Sequence, residues 1–167
     1  MSFKTIQRNQ DVIYNHEDLE FLYKFENYPV FMGCMNQPAK DDILVDMQWE
    51  ISKNSGIIQL NPLIPLDVLY SESHGSGNIG NMWINHHKQF AKFIQKHNPR
   101  SVLEIGGLHG ILSREYKKEK PIDWTILEPD PSPAENVDAT FIKGFFDDKF
   151  SFDGEIDTIV HSHVFEH

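Results

Sequence analysis

The decisive stretch is Ser101–Gly110, SVLEIGGLHG. Val102-Leu103-Glu104-Ile105 has the composition of a buried strand. It stops abruptly in glycines, ahead of a helix-compatible run that begins at Ile111-Leu112. Gly106 and Gly107 carry no Cβ, so a turn there lets backbone approach a ligand closely. Gly110 lets the next helix sit tight against the strand, with its first N–H groups turned toward the same place. Working outward, Ile122–Leu127 reads as a second strand ending in Glu128, which stands 24 positions after Glu104. In βαβ nucleotide sites an acid about 20 residues on accepts hydrogen bonds from ribose hydroxyls.

From residue 101 the pattern alternates between β and α. A helix is expected from about Leu108 to Glu119, with Lys117, Lys118 and Lys120 suiting its C-terminal dipole and Pro121 ending it. After the proline-rich turn from Glu128 to Pro133 come strands Ala139–Lys143 and Ile156–Val160. The fold class this predicts is α/β: a Rossmann-like doubly wound parallel sheet, partial, with about four strands, its ligand at the C-terminal strand ends.

Ahead of residue 101 the signals are weaker. Residues 1–60 read as a small β-containing N-terminal subdomain, with strands at Pro29–Met32, Ile43–Ile51 and Gly56–Leu60 and a short helix around Glu17–Phe25. Residues 61–80 form a connector: two prolines in Asn61–Leu66, then a glycine–serine loop, Ser71–Gly80, of a kind that closes over a ligand or serves as a plain linker. Residues 81–167 hold the nucleotide-site pattern. They begin with a helix whose stripe carries Ile79, Met82, Trp83, His86, Phe90, Phe93, Ile94 and His97, closed by Asn98-Pro99. His86 and His97 are read as packing or boundary residues.

Composition limits the partners. The 167 residues fit one domain or slightly more, and their apolar runs are too short to span a bilayer. The formal net charge is −10 with no basic stripe, which argues against nucleic acid. One cysteine, Cys34, forms neither an internal disulfide nor a cysteine-rich metal site. With no export signal, a reduced cytoplasmic protein is expected. The oligomeric state is not legible.

Taken together these residues resemble the class I S-adenosylmethionine-dependent methyltransferases. Glu104, Gly106 and Gly110 occupy the places of that family's first motif, with Leu108 where a middle glycine is common and Gly107 additional. The resemblance implies that Glu128, followed by Pro129, holds the cofactor ribose. It also implies that Gly144-Phe145-Phe146 contacts the adenine, and that His161 and Ser162, in the stretch IDTIVHSHVFEH, line the methionine part. GIIQLNPLIPLDVLYSE is similar to the segment that follows a zinc-binding domain in sugar C-methyltransferase-like proteins. The paired cysteines of those relatives are absent, so no metal site is carried over. A capsule-locus methyltransferase that O-methylates a small phosphorylated or sugar-linked precursor, such as the phosphoramidate of capsular polysaccharide, is the likeness followed furthest. C-methylation of a nucleotide sugar is the alternative. The family's sheet is larger than the four strands counted here, so a partial domain is expected, inactive alone.

The cofactor would be S-adenosylmethionine, leaving S-adenosylhomocysteine. Its sulfonium is cationic and suits an acidic site such as Glu104 with Glu128. For O-methylation a histidine base is natural near neutral pH. His163 is the first candidate and His74, on the glycine–serine loop, the second; a helix-start role without chemistry is the competing reading of His163. His161, His163, His167 and Glu166 also have metal-like composition, but their changing geometry past a strand end disfavours that use. Two other classes compete: an NAD-dependent Rossmann enzyme, for which Gly106–Gly110 lacks the third glycine, and a non-catalytic nucleotide-binding module.

Overall fold

Leu19–Pro29 is a strand, β1, and not the helix expected around Glu17–Phe25. Phe21, Tyr23 and Phe25 alternate with Glu20, Leu22 and Lys24. That is a strand's period, and aromatic side chains fit a pleated surface better than a helix. In this computed structural model, which describes residues 3–31, 38–70 and 80–165, the chain divides into two compact units, Met1–Glu72 and Ser73–His167.

In the first unit β1 pairs antiparallel with β2 (Leu44–Ser52), and β2 with β3 (Ile58–Leu60). A single 3-10 turn, Ala39–Asp41, precedes β2, and a one-turn helix, α1 (Leu66–Leu69), follows β3. Of the strand expected at Pro29–Met32, Pro29 ends β1 and the chain bends at Val30, while Met32 lies outside the described residues. Side-chain amides hold the segment ahead of β1. Asn61 accepts the Arg8 N–H at 2.8 Å and donates to the Arg8 carbonyl at 2.7 Å. Buried Gln59 accepts from the Val12 N–H and donates to the Gln10 carbonyl.

The second unit has the expected α/β, Rossmann-like architecture. It runs through α2 (Asn81–Gln95), β4 (Ser101–Ile105), α3 (Ile111–Lys117), β5 (Asp123–Glu128), β6 (Thr140–Lys143) and β7 (Thr158–His161). The four strands are all parallel, in the order β6-β5-β4-β7. Both helices lie over one face, where Ala91, Ile94, Leu112 and Tyr116 pack on Val102, Trp124, Ile126 and Val160. Phe150, Ile156 and Val164 cover Leu103, Ile105 and Leu127 on the other. α2 buries a narrower stripe than its sequence suggests, leaving Met82 and Phe93 exposed. α3 starts three residues later than expected: Gly110 adopts φ 71 and donates its N–H to the Gly107 carbonyl, so Gly107–Gly110 is a turn. Among the described residues no helix is long and apolar enough to cross a membrane.

Candidate functional site

β4 and β5 run in register, with Glu104 beside Ile126 and Ile105 beside Leu127. Side chains alternate along a strand, so Glu104 and Glu128 share the face occupied by Val102, Trp124 and Ile126. Both stand at the carboxyl end of the sheet, where ligands of such sheets bind.

Glu104 is 6% exposed and accepts the Trp124 indole N–H on Oε2 at 2.8 Å. Burial pushes its carboxyl up to about 7; the Trp124 N–H works against that rise and the neighbouring Glu128 adds to it. Glu128 is also buried. Its Oε2 accepts the Leu108 N–H at 3.0 Å and its Oε1 the Asp130 N–H at 3.2 Å. It thus ties the glycine turn to the end of β5 while each oxygen keeps a lone pair.

The glycines of this turn are closely packed. A Cβ on Gly106, whose φ is 72, would fall 2.5 Å from Val164 Cγ2. One on Gly107 would fall 2.7 Å from Ile126 Cγ2 and 2.8 Å from Glu104 Cδ. The space an added Cβ would need at Gly106 and Gly107 is filled by the chain's own side chains. Gly110 acts as expected, since a Cβ there would fall 2.6 Å from Val137 Cγ1 and force α3 away. The turn carrying Pro129 docks on the same loop: Ser132 N–H donates to the Leu108 carbonyl and Ala134 N–H to the His109 carbonyl.

The other two strand ends flank this pair. Past β6, Gly144 N–H donates to the Glu128 carbonyl at 3.1 Å. Phe145 is half-buried, and Phe146 is exposed against the Phe150 ring. At the end of β7 the His161 ring stacks on Phe165 at 3.8 Å, and past it Val164 abuts Gly106. Ser162 Oγ and His86 Nε2 are hydrogen-bonded at 2.9 Å. His163 is exposed, with a φ of 55, its ring 5.1 Å from Trp83 and 5.8 Å from His86. His74, Glu166 and His167 lie outside the described residues.

Sequence reasoning misses the contribution of α2. The rings of Trp83, His86 and His87 meet edge-on or tilted, and Trp83 and His86 reach the residues just past β7, so His86, expected only to pack, instead bonds the strand end. The signal is present: positions 83, 86, 87 and 90 share one helix face, and the part facing the strand ends is polar. Trp124 is missed as well, although an indole N–H in a buried strand requires an acceptor. No family model matches the chain, and no curated protein matches it either.

Proposed function

We propose that the Ser73–His167 unit binds S-adenosylmethionine and serves a methyltransferase. One observation carries the reading. Glu104 and Glu128 stand on one face at neighbouring strand ends, close enough for the charge of one to raise the other's pKa. Neither takes part in an ion pair among the described residues. Two acids without a cation fit a ligand that is cationic and bears hydroxyls.

When bound, such a cofactor supplies a sulfonium methyl group for in-line transfer. The chain's own part is placement, which is worth up to ~7–11 kcal/mol when donor and acceptor are held in near-attack geometry. Glu128 has the lone pairs to accept two hydroxyls, and its backbone donors fix its orientation. Trp124 fixes Glu104. The exposed His163 imidazole is the group to take a proton from a hydroxyl acceptor, with Ser162 and His86 beside it. The acceptor class belongs to the same proposal and rests on the resemblance alone: a sugar-linked or phosphoramidate-bearing hydroxyl, reached in the cytoplasm.

The test is a thermal-shift titration with S-adenosylhomocysteine, with NAD and ATP as controls. Ligand at 100 times its dissociation constant adds ~2.7 kcal/mol of stability. A shift with S-adenosylhomocysteine alone supports the proposal, and a shift with NAD alone overturns it. Glu128→Ala should weaken S-adenosylhomocysteine binding by about 1.5–3 kcal/mol, measured by calorimetry, through loss of hydrogen bonds to a charged group. Unchanged affinity would remove Glu128 from the site.

A further inference from the structure

Asp11, His16 and Asp18 lie ahead of β1, and one potential ligand atom of each falls within 4.8 Å of the other two. Local hydrogen bonds build this convergence. Asp11 is fully buried; its Oδ1 accepts the N–H groups of Ile13 and Tyr14, and its Oδ2 accepts that of His16 at 2.8 Å. Those bonds curl residues 11–16 back on themselves and bring His16 Nδ1 to 3.5 Å from Asp11 Oδ2. Asp18 is fixed from the other side by the Asn54 N–H, which donates to its Oδ2 at 2.7 Å. The Tyr14 ring stacks on His16 at 5.6 Å and holds the imidazole plane.

Two atoms in this arrangement are left over. His16 Nδ1 and Asp18 Oδ1 are both shielded from solvent, and neither has a hydrogen-bond partner. Orphaned buried polar atoms are rare in folded proteins, and two of them converging on a third ligand atom call for a shared partner. A proton on Nδ1 serves one oxygen at a time, whereas a divalent cation serves the nitrogen and both carboxylates together.

The charges agree. Two carboxylates balance a doubly charged ion, and a neutral imidazole completes the set. We propose that Asp11, His16 and Asp18 hold a first-row divalent transition-metal ion, which ties the ends of the 11–18 segment together. Imidazole favours such an ion over Ca²⁺ or Mg²⁺, which prefer all-oxygen sites. Ligand atoms at ~2.0–2.2 Å from a tetrahedral zinc-like ion stand about 3.3–3.6 Å apart, so binding draws the three inward from their spacing of up to 4.8 Å.

The experiment is calorimetric titration of the full chain with Zn²⁺, repeated with Ca²⁺, and visible absorption with Co²⁺ as a geometric readout. One saturable equivalent of Zn²⁺ is expected, much tighter than Ca²⁺. His16→Ala and Asp18→Asn should each weaken it about tenfold or more, as loss of a supporting group alone does. Asp18→Asn keeps an acceptor for Asn54, and Asp11 is left intact so that the turn it organises survives. No saturable equivalent, Ca²⁺ binding as tight as Zn²⁺, or an equivalent unchanged in both variants and therefore seated on other histidines would each overturn the proposal. The outcome is independent of S-adenosylhomocysteine binding.

Discussion

Asp11 and Glu104 are both buried carboxylic acids, one in each unit, and their surroundings push them in opposite directions. Asp11 is desolvated, yet three backbone N–H groups aim at it and its carboxyl falls below the usual range. Glu104 is desolvated with a single indole donor and a second acid nearby, and its carboxyl rises to about 7. Burial costs charge in both places; the count of donors and the sign of the neighbour decide the result. The Tyr116 hydroxyl extends the series to its end, fully buried and with no hydrogen-bond partner among the described residues.

The largest effect should come from Asp11. Asp11→Ala leaves three part-buried N–H donors without their acceptor and releases the turn that carries His16. A fall in melting temperature on the order of 10 °C is expected for a small unit. Asp11→Asn, which still accepts but lacks charge, should fall between. If the alanine variant melts within a few degrees of the parent, donor count is not what holds this loop.

Glu104→Gln tests the opposite case. The folded carboxyl binds its proton more tightly than the unfolded one, so between pH 4.5 and about 7 the native state holds the extra proton. Stability from this group therefore falls as pH rises through that window. The displacement from 4.5 to about 7 corresponds to at most about 3 kcal/mol above pH 7. The amide of the variant cannot ionise yet still accepts the Trp124 N–H. The variant should therefore gain up to that amount at pH 8 and lose the slope, read by urea melts across pH. Under the proposed function it should also weaken S-adenosylmethionine, which is cationic, more than S-adenosylhomocysteine, which is not. Equal losses would show that Glu104 does not sense the ligand's charge.

The same contrast explains what could be read in advance. β4 and the acid pair are legible because each rests on a local pattern: an apolar run, a glycine stop, an acid at a strand end. β1 is not, since Phe21 and Phe25 are also spaced as a helix would space them, and only pairing with β2 selects the strand. The glycine turn can be located from sequence, but what fills Gly106 and Gly107 comes from Val164 and Ile126, far away along the chain. Asp11, His16 and Asp18 carry no recognisable spacing, because the turn that joins them exists only once Asp11 has accepted its three N–H groups. Gln59 and Asn61 are likewise silent, since nothing in a strand's own sequence says that its amides will hold residues 8–12.

Tyr116→Phe gives the smallest effect and the cleanest reading. The ring projects from α3 against Trp124 at 5.3 Å, so its hydrophobic contribution stays when the hydroxyl goes. The hydroxyl was desolvated on folding and, without a partner, recovers nothing. Its ionisation is also pushed upward, by burial and by the charge of Asp157. Removing it should leave stability unchanged or raise it by up to about 1 kcal/mol, whereas loss of a satisfied hydrogen bond would cost a similar amount. A denaturant melt separates the two signs. A loss would mean that a buried water bonds the hydroxyl, and the zero-donor end of the series would then belong with Glu104, among groups that burial strains but a single partner holds.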